Sequence, residues 1–392
     1  MQGESREDLT PCNPMRGASS WYENIFDPFI RRCRDVILDE AGRENVTGLI
    51  LGGSFSSCEG SIVILDGDTV FLSDIDLLLV VHSMETHAVL YAGRSRIGEA
   101  CESILPGIRF EGRIDIGVMT AGELGAMSRS PGVFAMKERG VVLYGEDNIL
   151  DALPSFSAGE IGEAEALKLL ENRMASFLGC RTGVERPEGV ALYRFLYEVS
   201  RVYTDIVTAS LCAAGLYRPG YRARAGFLAS SDASSVRSDL GESLVEDAMR
   251  WTAFKTDPNR EPVWTRNDRA PHMWLEAAGD ILAVRDRISG TYEDRRDGDR
   301  PGFKDLLRAW KKASMRPGLI ARALSSGIKP EEHIREESVR LIRHAAEKGT
   351  HGDIGGAPGG YPHGRVSWEE AASRTYSEWR RLVTGREVER SE

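Results

Sequence analysis

The sequence predicts an α+β fold in which a mixed-sheet domain is followed by an all-helical bundle domain. Three observations lead to this prediction. Hydrophobic residues make up 41% and charged residues 28% of the 392-residue chain, as in globular proteins that bury a core. Short apolar runs of strand length, separated by glycines and polar turns, recur through residues 20–152. After Pro154 the apolar residues recur three and four positions apart, which is the spacing of a helix face.

The first domain, predicted for residues 20–152, mixes helices and strands. A helix opens at Ser20 and ends at Gly42. The apolar run of residues 46–51 predicts a buried strand, and Asp66-Gly67 predicts a hairpin turn inside residues 61–72. The remaining elements predicted here are strands at 76–81, 113–119 and 141–144 and helices that begin at Ser83 and Thr120.

The second domain, predicted for residues 153–348, contains helical patterns and no strands. The predicted helices cover residues 158–178, 187–216, 241–254, 273–288, 303–324 and 330–347. Residues 349–364 are rich in glycine and predict a linker, and residues 365–392 predict a C-terminal helix. Residues 1–19 are polar and predict a flexible leader.

Composition excludes several classes of protein. No apolar run approaches the roughly 20 residues that span a bilayer, and the leader does not resemble a signal peptide, so we expect no membrane partner. The six cysteines form no C-x-x-C pair, which argues against a zinc site or a disulfide framework and favours a cytoplasmic location. Residues 1–150 hold 13 basic and 23 acidic residues and so carry the whole net charge of −10, which argues against duplex DNA as a partner.

Three short motifs carry the chemistry that the sequence predicts. Gly53-Ser54 follows a strand, where a glycine lets a phosphate approach the backbone and a serine can bind it. Asp74 and Asp76 are two residues apart at the start of a strand, so their side chains share a face. Paired carboxylates repel one another unless a cation lies between them, and oxygen ligands suit Mg²⁺. Asp115, in a separate strand, could complete a metal site.

In this order the motifs resemble those of the polymerase-β-like nucleotidyltransferase superfamily. Its members carry an apolar residue with Gly-Gly or Gly-Ser, then two acidic residues around an apolar one, then an acidic residue within an apolar strand. Residues 51–54, 74–77 and 114–116 match these three patterns, and the resemblance covers roughly residues 30–150. It implies a mixed-sheet nucleotidyltransferase domain that transfers a nucleoside monophosphate from a nucleoside triphosphate, with ATP favoured, to an acceptor hydroxyl and releases pyrophosphate.

The resemblance also implies a role for each motif residue. Asp74, Asp76 and Asp115 would be the catalytic residues and the ligands of Mg²⁺, or of Mn²⁺, and Asp115 would help to deprotonate the acceptor. Gly53 and Ser54 would bind the nucleotide. The acceptor could be a small molecule, an RNA end or a protein hydroxyl.

Two further hypotheses stay open. Relatives carry a basic residue soon after the Gly-Ser pair, where this chain has Ser57-Cys58, and this difference favours a catalytically silent fold that binds nucleotide or a partner protein. The spacing of Arg266 and His272 resembles the R-x(4–6)-H motif of HEPN-type ribonucleases, which would make the chain a toxin–antitoxin-like module. The basic, aromatic segments 217–224 and 304–322 are either phosphate- or RNA-binding surfaces or solvated surface.

Overall fold

A computed structural model describes residues 22–104, 107–181, 186–259, 269–293, 330–348, 353–354 and 366–384. The predicted leader, the predicted helix at 303–324, the basic segment 304–322 and Arg266 lie outside these residues. The chain divides into two compact units. The sheet unit comprises residues 1–161, 215–235 and 252–263, and the helical unit comprises residues 162–214, 236–251 and 264–392. Two segments of the predicted helical domain, 215–235 and 252–263, therefore belong to the sheet unit.

The fold is α+β, as predicted, and the sheet unit contains two mixed sheets. The strands are β1 (Val46–Leu51), β2 (Ile62–Leu65), β3 (Asp68–Phe71), β4 (Ile75–Val81), β5 (Ile108–Phe110), β6 (Ile114–Thr120) and β7 (Val141–Gly145). The larger sheet has the order β6-β4-β1-β7, in which β4 and β6 are parallel and the other pairs antiparallel. The smaller sheet has the order β2-β3-β5, and its β2–β3 hairpin turns at Asp66-Gly67, as predicted.

Thirteen α-helices lie within the described parts of the chain. They are α1 (Asp27–Ala41), α2 (Gly53–Ser56), α3 (Met84–Glu102), α4 (Ala121–Gly125), α5 (Pro131–Arg139), α6 (Gly162–Arg181), α7 (Gly189–Ala213), α8 (Tyr221–Leu228), α9 (Ser234–Leu240), α10 (Glu242–Thr256), α11 (Ala270–Glu293), α12 (Pro330–Lys348) and α13 (Trp368–Thr384). The sequence did not predict the short helices α8 and α9.

In the core of the sheet unit, α1 and α3 pack against one face of the larger sheet. Phe26, Phe29, Phe55 and Phe71 are fully buried there, and the rings of Phe26 and Phe55 stack with their centroids 4.5 Å apart. Local signals start the helices that were predicted to begin at Ser83 and Thr120. The Ser83 side chain accepts a hydrogen bond from the N–H of Thr86, and Thr120 forms a capping box with Glu123.

The helical unit is built mainly from α6, α7, α11, α12 and α13. The indole of Trp274 in α11 stacks on Phe177 of α6, with ring centroids 5.1 Å apart, and meets the fully buried Trp368 of α13 edge-on. Two short strands that the sequence did not predict, β8 (Asp353–Ile354) and β9 (Val366–Ser367), pair antiparallel. The first of these strands lies inside the predicted linker.

Cysteine chemistry differs from the expectation at one position. Among the described residues, Cys33, Cys101, Cys180 and Cys212 form no disulfide, whereas Cys58 is disulfide-bonded. Burial raises the pKa of the Cys33 and Cys180 thiols well above its usual range, so neither is poised to react as a thiolate.

Candidate functional site

The site forms where the parallel strands β4 and β6 begin side by side. Asp76 of β4 and Asp115 of β6 are direct partners in the register of this pair. Residues paired in this way lie about 4.8 Å apart and project to the same face of a sheet. Asp76 is exposed and the Asp115 side chain is 47% exposed, so both carboxylates face solvent. Strand register thus brings together two acidic residues that are 39 positions apart in the sequence.

Gly52 and Gly53 bring the turn after β1 directly against Asp76. The Gly52 N–H donates to the Asp76 carbonyl oxygen over 2.8 Å. Gly53 has φ +64°, and a Cβ at this position would stand 1.9 Å from the Asp76 Oδ2 atom. Only glycine combines this backbone conformation with this approach. The exposed Gly53 and the half-buried Ser54, in the first turn of α2, therefore border the carboxylate of Asp76.

Arg113, which directly precedes β6, links the carboxylates of Asp74 and Asp115. Its backbone N–H donates to Asp74 Oδ1 over 3.1 Å, and its guanidinium Nη2 donates to Asp115 Oδ2 over 3.1 Å. The Ile75 N–H donates to the Arg113 carbonyl oxygen over 2.8 Å, which ties the start of β4 to the same residue. In this arrangement the Arg113 guanidinium partly offsets the negative charge of Asp115.

The structure gathers all five residues that the motifs predicted into one corner of the sheet unit. Asp76 lies beside both Asp115 and Gly53, and Ser54 follows Gly53. Asp74 lies just before β4 and is hydrogen-bonded to Arg113, which lies just before β6. Within the described ranges, no three His, Cys, Asp or Glu side chains form a group that could hold a metal ion on their own. Mg²⁺, however, is commonly held by one or two carboxylates together with substrate phosphates. The carboxylate oxygen donors fit such an ion, and Asp76 and Asp115 are the residues that would hold it.

A buried lysine supports this corner and was missed by sequence analysis. Lys255, near the end of α10, is 1% exposed, and its ammonium donates to the hydroxyls of Ser61 and Ser73 over 3.0 and 2.9 Å. Ser73 directly precedes Asp74. A serine before an acidic pair is visible in the sequence, but no local signal joins it to a lysine 182 residues later.

Glu59 anchors the segment 217–224 beside the end of α2. Its buried carboxylate accepts hydrogen bonds from the Tyr221 and Arg222 N–H groups, over 2.6 and 2.8 Å, at the start of α8. The Arg222 guanidinium donates to the Cys58 carbonyl oxygen over 3.4 Å and to the Thr256 carbonyl oxygen over 3.2 Å. A cation therefore lies against Cys58, in the stretch after Gly-Ser where the sequence itself has no basic residue.

The ribonuclease-like motif of Arg266 and His272 forms no comparable site in the described chain, which includes only His272. His272 lies in the first turn of α11, and its side chain is 62% exposed. Its Nε2 atom lies 3.2 Å from the Glu276 carboxylate, one turn along the same helix. This is the geometry of a surface pair.

Comparisons with known proteins add no identification. The chain matches no family model, no curated protein and no solved structure. Among the described residues, no helix combines the length and the apolar character that crossing a membrane requires.

Proposed function

We propose that this chain is a Mg²⁺-dependent nucleotidyltransferase that transfers a nucleoside monophosphate to an acceptor hydroxyl. The observation that carries the proposal is the register of β4 and β6, which sets Asp76 beside Asp115. The close approach of Gly53 to Asp76 supports it, because it brings a backbone turn suited to phosphate next to the paired carboxylates. A bound Mg²⁺ would neutralise phosphate charge and polarise the phosphorus that is attacked.

The residues of the chain would then have separate tasks. Gly53 and Ser54 would hold the phosphates through backbone N–H groups and a hydroxyl. Asp76 and Asp115 would orient the reacting groups, and Asp115, which is half-exposed, could accept the proton of the acceptor hydroxyl. Most of the rate enhancement would come from positioning and charge neutralisation, as in other phosphoryl-type transfers.

Pyrophosphate release tests the proposal directly. We would incubate the protein with each of the four nucleoside triphosphates and Mg²⁺ or Mn²⁺, with and without a cell extract as a source of acceptors. We expect Asp76→Asn and Asp115→Asn to lower the rate at least about a hundredfold, because each removes a charge that the reaction requires. Asp68→Asn is the matched control, since Asp68 is an exposed aspartate of β3 in the same unit. Equal rates for all three variants would contradict the proposal.

A second candidate function is nucleotide binding without transfer. The observation that favours it is Arg113, which already engages Asp74 and Asp115. Calorimetry with a nucleoside triphosphate would separate the two functions. Binding that depends on Gly53 and Ser54, without release of pyrophosphate in the presence of extract, would support the silent fold, whereas turnover would exclude it.

A further inference from the structure

The ammonium of Lys255 is buried inside the sheet unit. Taking a lysine charge out of water is expensive unless hydrogen bonds and polar neighbours compensate for it. Here the Nζ atom donates to Ser61 Oγ and Ser73 Oγ and lies 4.9 Å from the centre of the Tyr221 ring, within the range of a cation–π contact. Two hydroxyls and an aromatic ring thus stabilise the ammonium of a lysine that is 1% exposed.

The same hydroxyls also hold the backbone. Ser73 Oγ accepts from the Ser61 N–H over 2.8 Å, and Ser61 Oγ donates to the Lys255 carbonyl oxygen over 2.5 Å. The N–H groups of Leu72 and Ser73 both donate to the Ser61 carbonyl oxygen, over 3.0 and 3.3 Å. Lys255 therefore belongs to a network that fixes the residue directly before Asp74.

Close backbone packing also holds Ser73. A Cβ at Gly112 would lie 2.5 Å from the Ser73 carbonyl oxygen and 2.9 Å from the Asp74 nitrogen. The residues joined by the Ser73–Asp74 peptide thus contact both the Lys255 network and the chain that leads into β6. A displacement at Ser73 would be transmitted to Asp74 and Asp76, because β4 starts only two residues later, at Ile75.

We propose that Lys255 is a positioning residue for the Asp74–Asp76 pair and acts through the Ser73 hydroxyl. The proposal concerns the order of the β4 entry in the protein without metal or nucleotide, and its consequence for catalysis rests on the proposed function. Lys255 is buried and donates to serines, so it is not assigned a contact with substrate.

The test uses three variants of the full chain. Lys255→Met removes the charge and keeps the length of the side chain, and Ser73→Ala removes only the hydroxyl through which Lys255 acts. Lys137→Met is the matched control, because Lys137 also lies in the sheet unit and donates to a backbone carbonyl, that of Leu153, over 2.6 Å. Hydrogen exchange of the metal-free protein at residues 72–76 measures order at the β4 entry, and urea unfolding measures global stability.

We expect Lys255→Met and Ser73→Ala to raise exchange at residues 72–76 about tenfold over that in Lys137→Met, with strand β7 unchanged.

Mn²⁺ titration with α,β-methylene-ATP should show weaker metal binding in the same two variants, and their kcat should fall while KM for the nucleotide changes less than about twofold. The double variant should be no worse than Lys255→Met, because both changes interrupt one path. Lys255→Arg, which keeps the charge, should restore part of the kcat.

The outcomes separate this proposal from the proposed function. Exchange at residues 72–76 that equals the control overturns the positioning role, whatever the activity of the wild type. Exchange that rises equally across the whole sheet unit also overturns it, because that result describes general destabilisation. If Lys255→Met does not fold, Ser73→Ala alone decides by the same criteria. A wild type that releases no pyrophosphate argues against the transferase, while the exchange result still decides the role of Lys255.

Discussion

At the scale of single residues, Gly53 offers a clean test of the site because the chain contains a matched glycine. Gly53 and Gly67 have φ of +64° and +90°, but only at Gly53 would a Cβ meet another atom, the Asp76 carboxylate. An alanine at either position should cost about 1 kcal/mol in stability for the left-handed backbone. Gly53→Ala should in addition displace Asp76 and abolish most turnover, whereas Gly67→Ala should keep it. Urea unfolding and pyrophosphate release measure both effects, and an active Gly53→Ala would contradict the placement of Asp76 in the site.

Arg113 leads to a second prediction at this scale. Its guanidinium acts as a counter-ion to Asp115 and so competes with any metal for that carboxylate. Arg113→Met should therefore tighten Mn²⁺ binding about two- to fivefold, since a partly exposed ion pair contributes up to about 1 kcal/mol. Arg109→Met is the control, because Arg109 pairs with Glu111 instead. Weaker binding in Arg113→Met, measured by Mn²⁺ titration, would show that Arg113 assists the metal rather than competing with it.

At the scale of elements, the successful predictions were those with local signals. The Asp66-Gly67 hairpin and the caps at Ser83 and Thr120 are specified within four or five residues, and the structure contains all three. Helix α8 was not predicted, because the N–H groups at its start are held by Glu59, 162 residues earlier in the chain. The same limit applies to the site. Its motif residues could be found from spacing, whereas the contacts of Lys255 with Ser73 and of Arg222 with Cys58 form only through tertiary folding.

The capping box of α4 predicts how acid affects this element. Hydrogen bonds from the backbone and side chain of Thr120 hold the pKa of Glu123 below its ordinary value. A carboxyl with a lowered folded-state pKa stabilises the fold above its unfolded pKa, and this contribution is lost as the pH falls through the folded value. Glu123→Gln should therefore be less stable than wild type near neutral pH, and the difference should shrink as the pH falls below about 4. Urea unfolding at both pH values checks this, and a difference independent of pH would contradict it.

At the scale of the whole molecule, the unit that carries the site is assembled from three separate stretches of chain. The change in sequence texture at Pro154 marks where strands give way to helices, but contacts return residues 215–235 and 252–263 to the sheet unit. Composition cannot reveal this, because both stretches have the helical periodicity or loop character of their neighbours. Only hydrogen bonds such as those of Tyr221 with Glu59 and of Ile64 with Asn259 show that these stretches belong to the sheet unit.

This assembly predicts that residues 1–161 do not form a stable site alone. A fragment of that length would leave Glu59 without the Tyr221 and Arg222 N–H groups. The Ser61 and Ser73 hydroxyls would lose the Lys255 ammonium, and strand β2 would lose its two hydrogen bonds to Asn259. Each lost hydrogen bond contributes about 0.5–1.5 kcal/mol, or about 1.5–3 kcal/mol where one partner is charged, and together these losses are comparable to the whole stability of a domain. Hydrogen exchange over residues 62–81 should therefore be fast in a 1–161 fragment and slow in a 1–263 fragment, which keeps all three stretches. Equal protection in the two fragments would show that the strands and the acidic pair are ordered without the later segments.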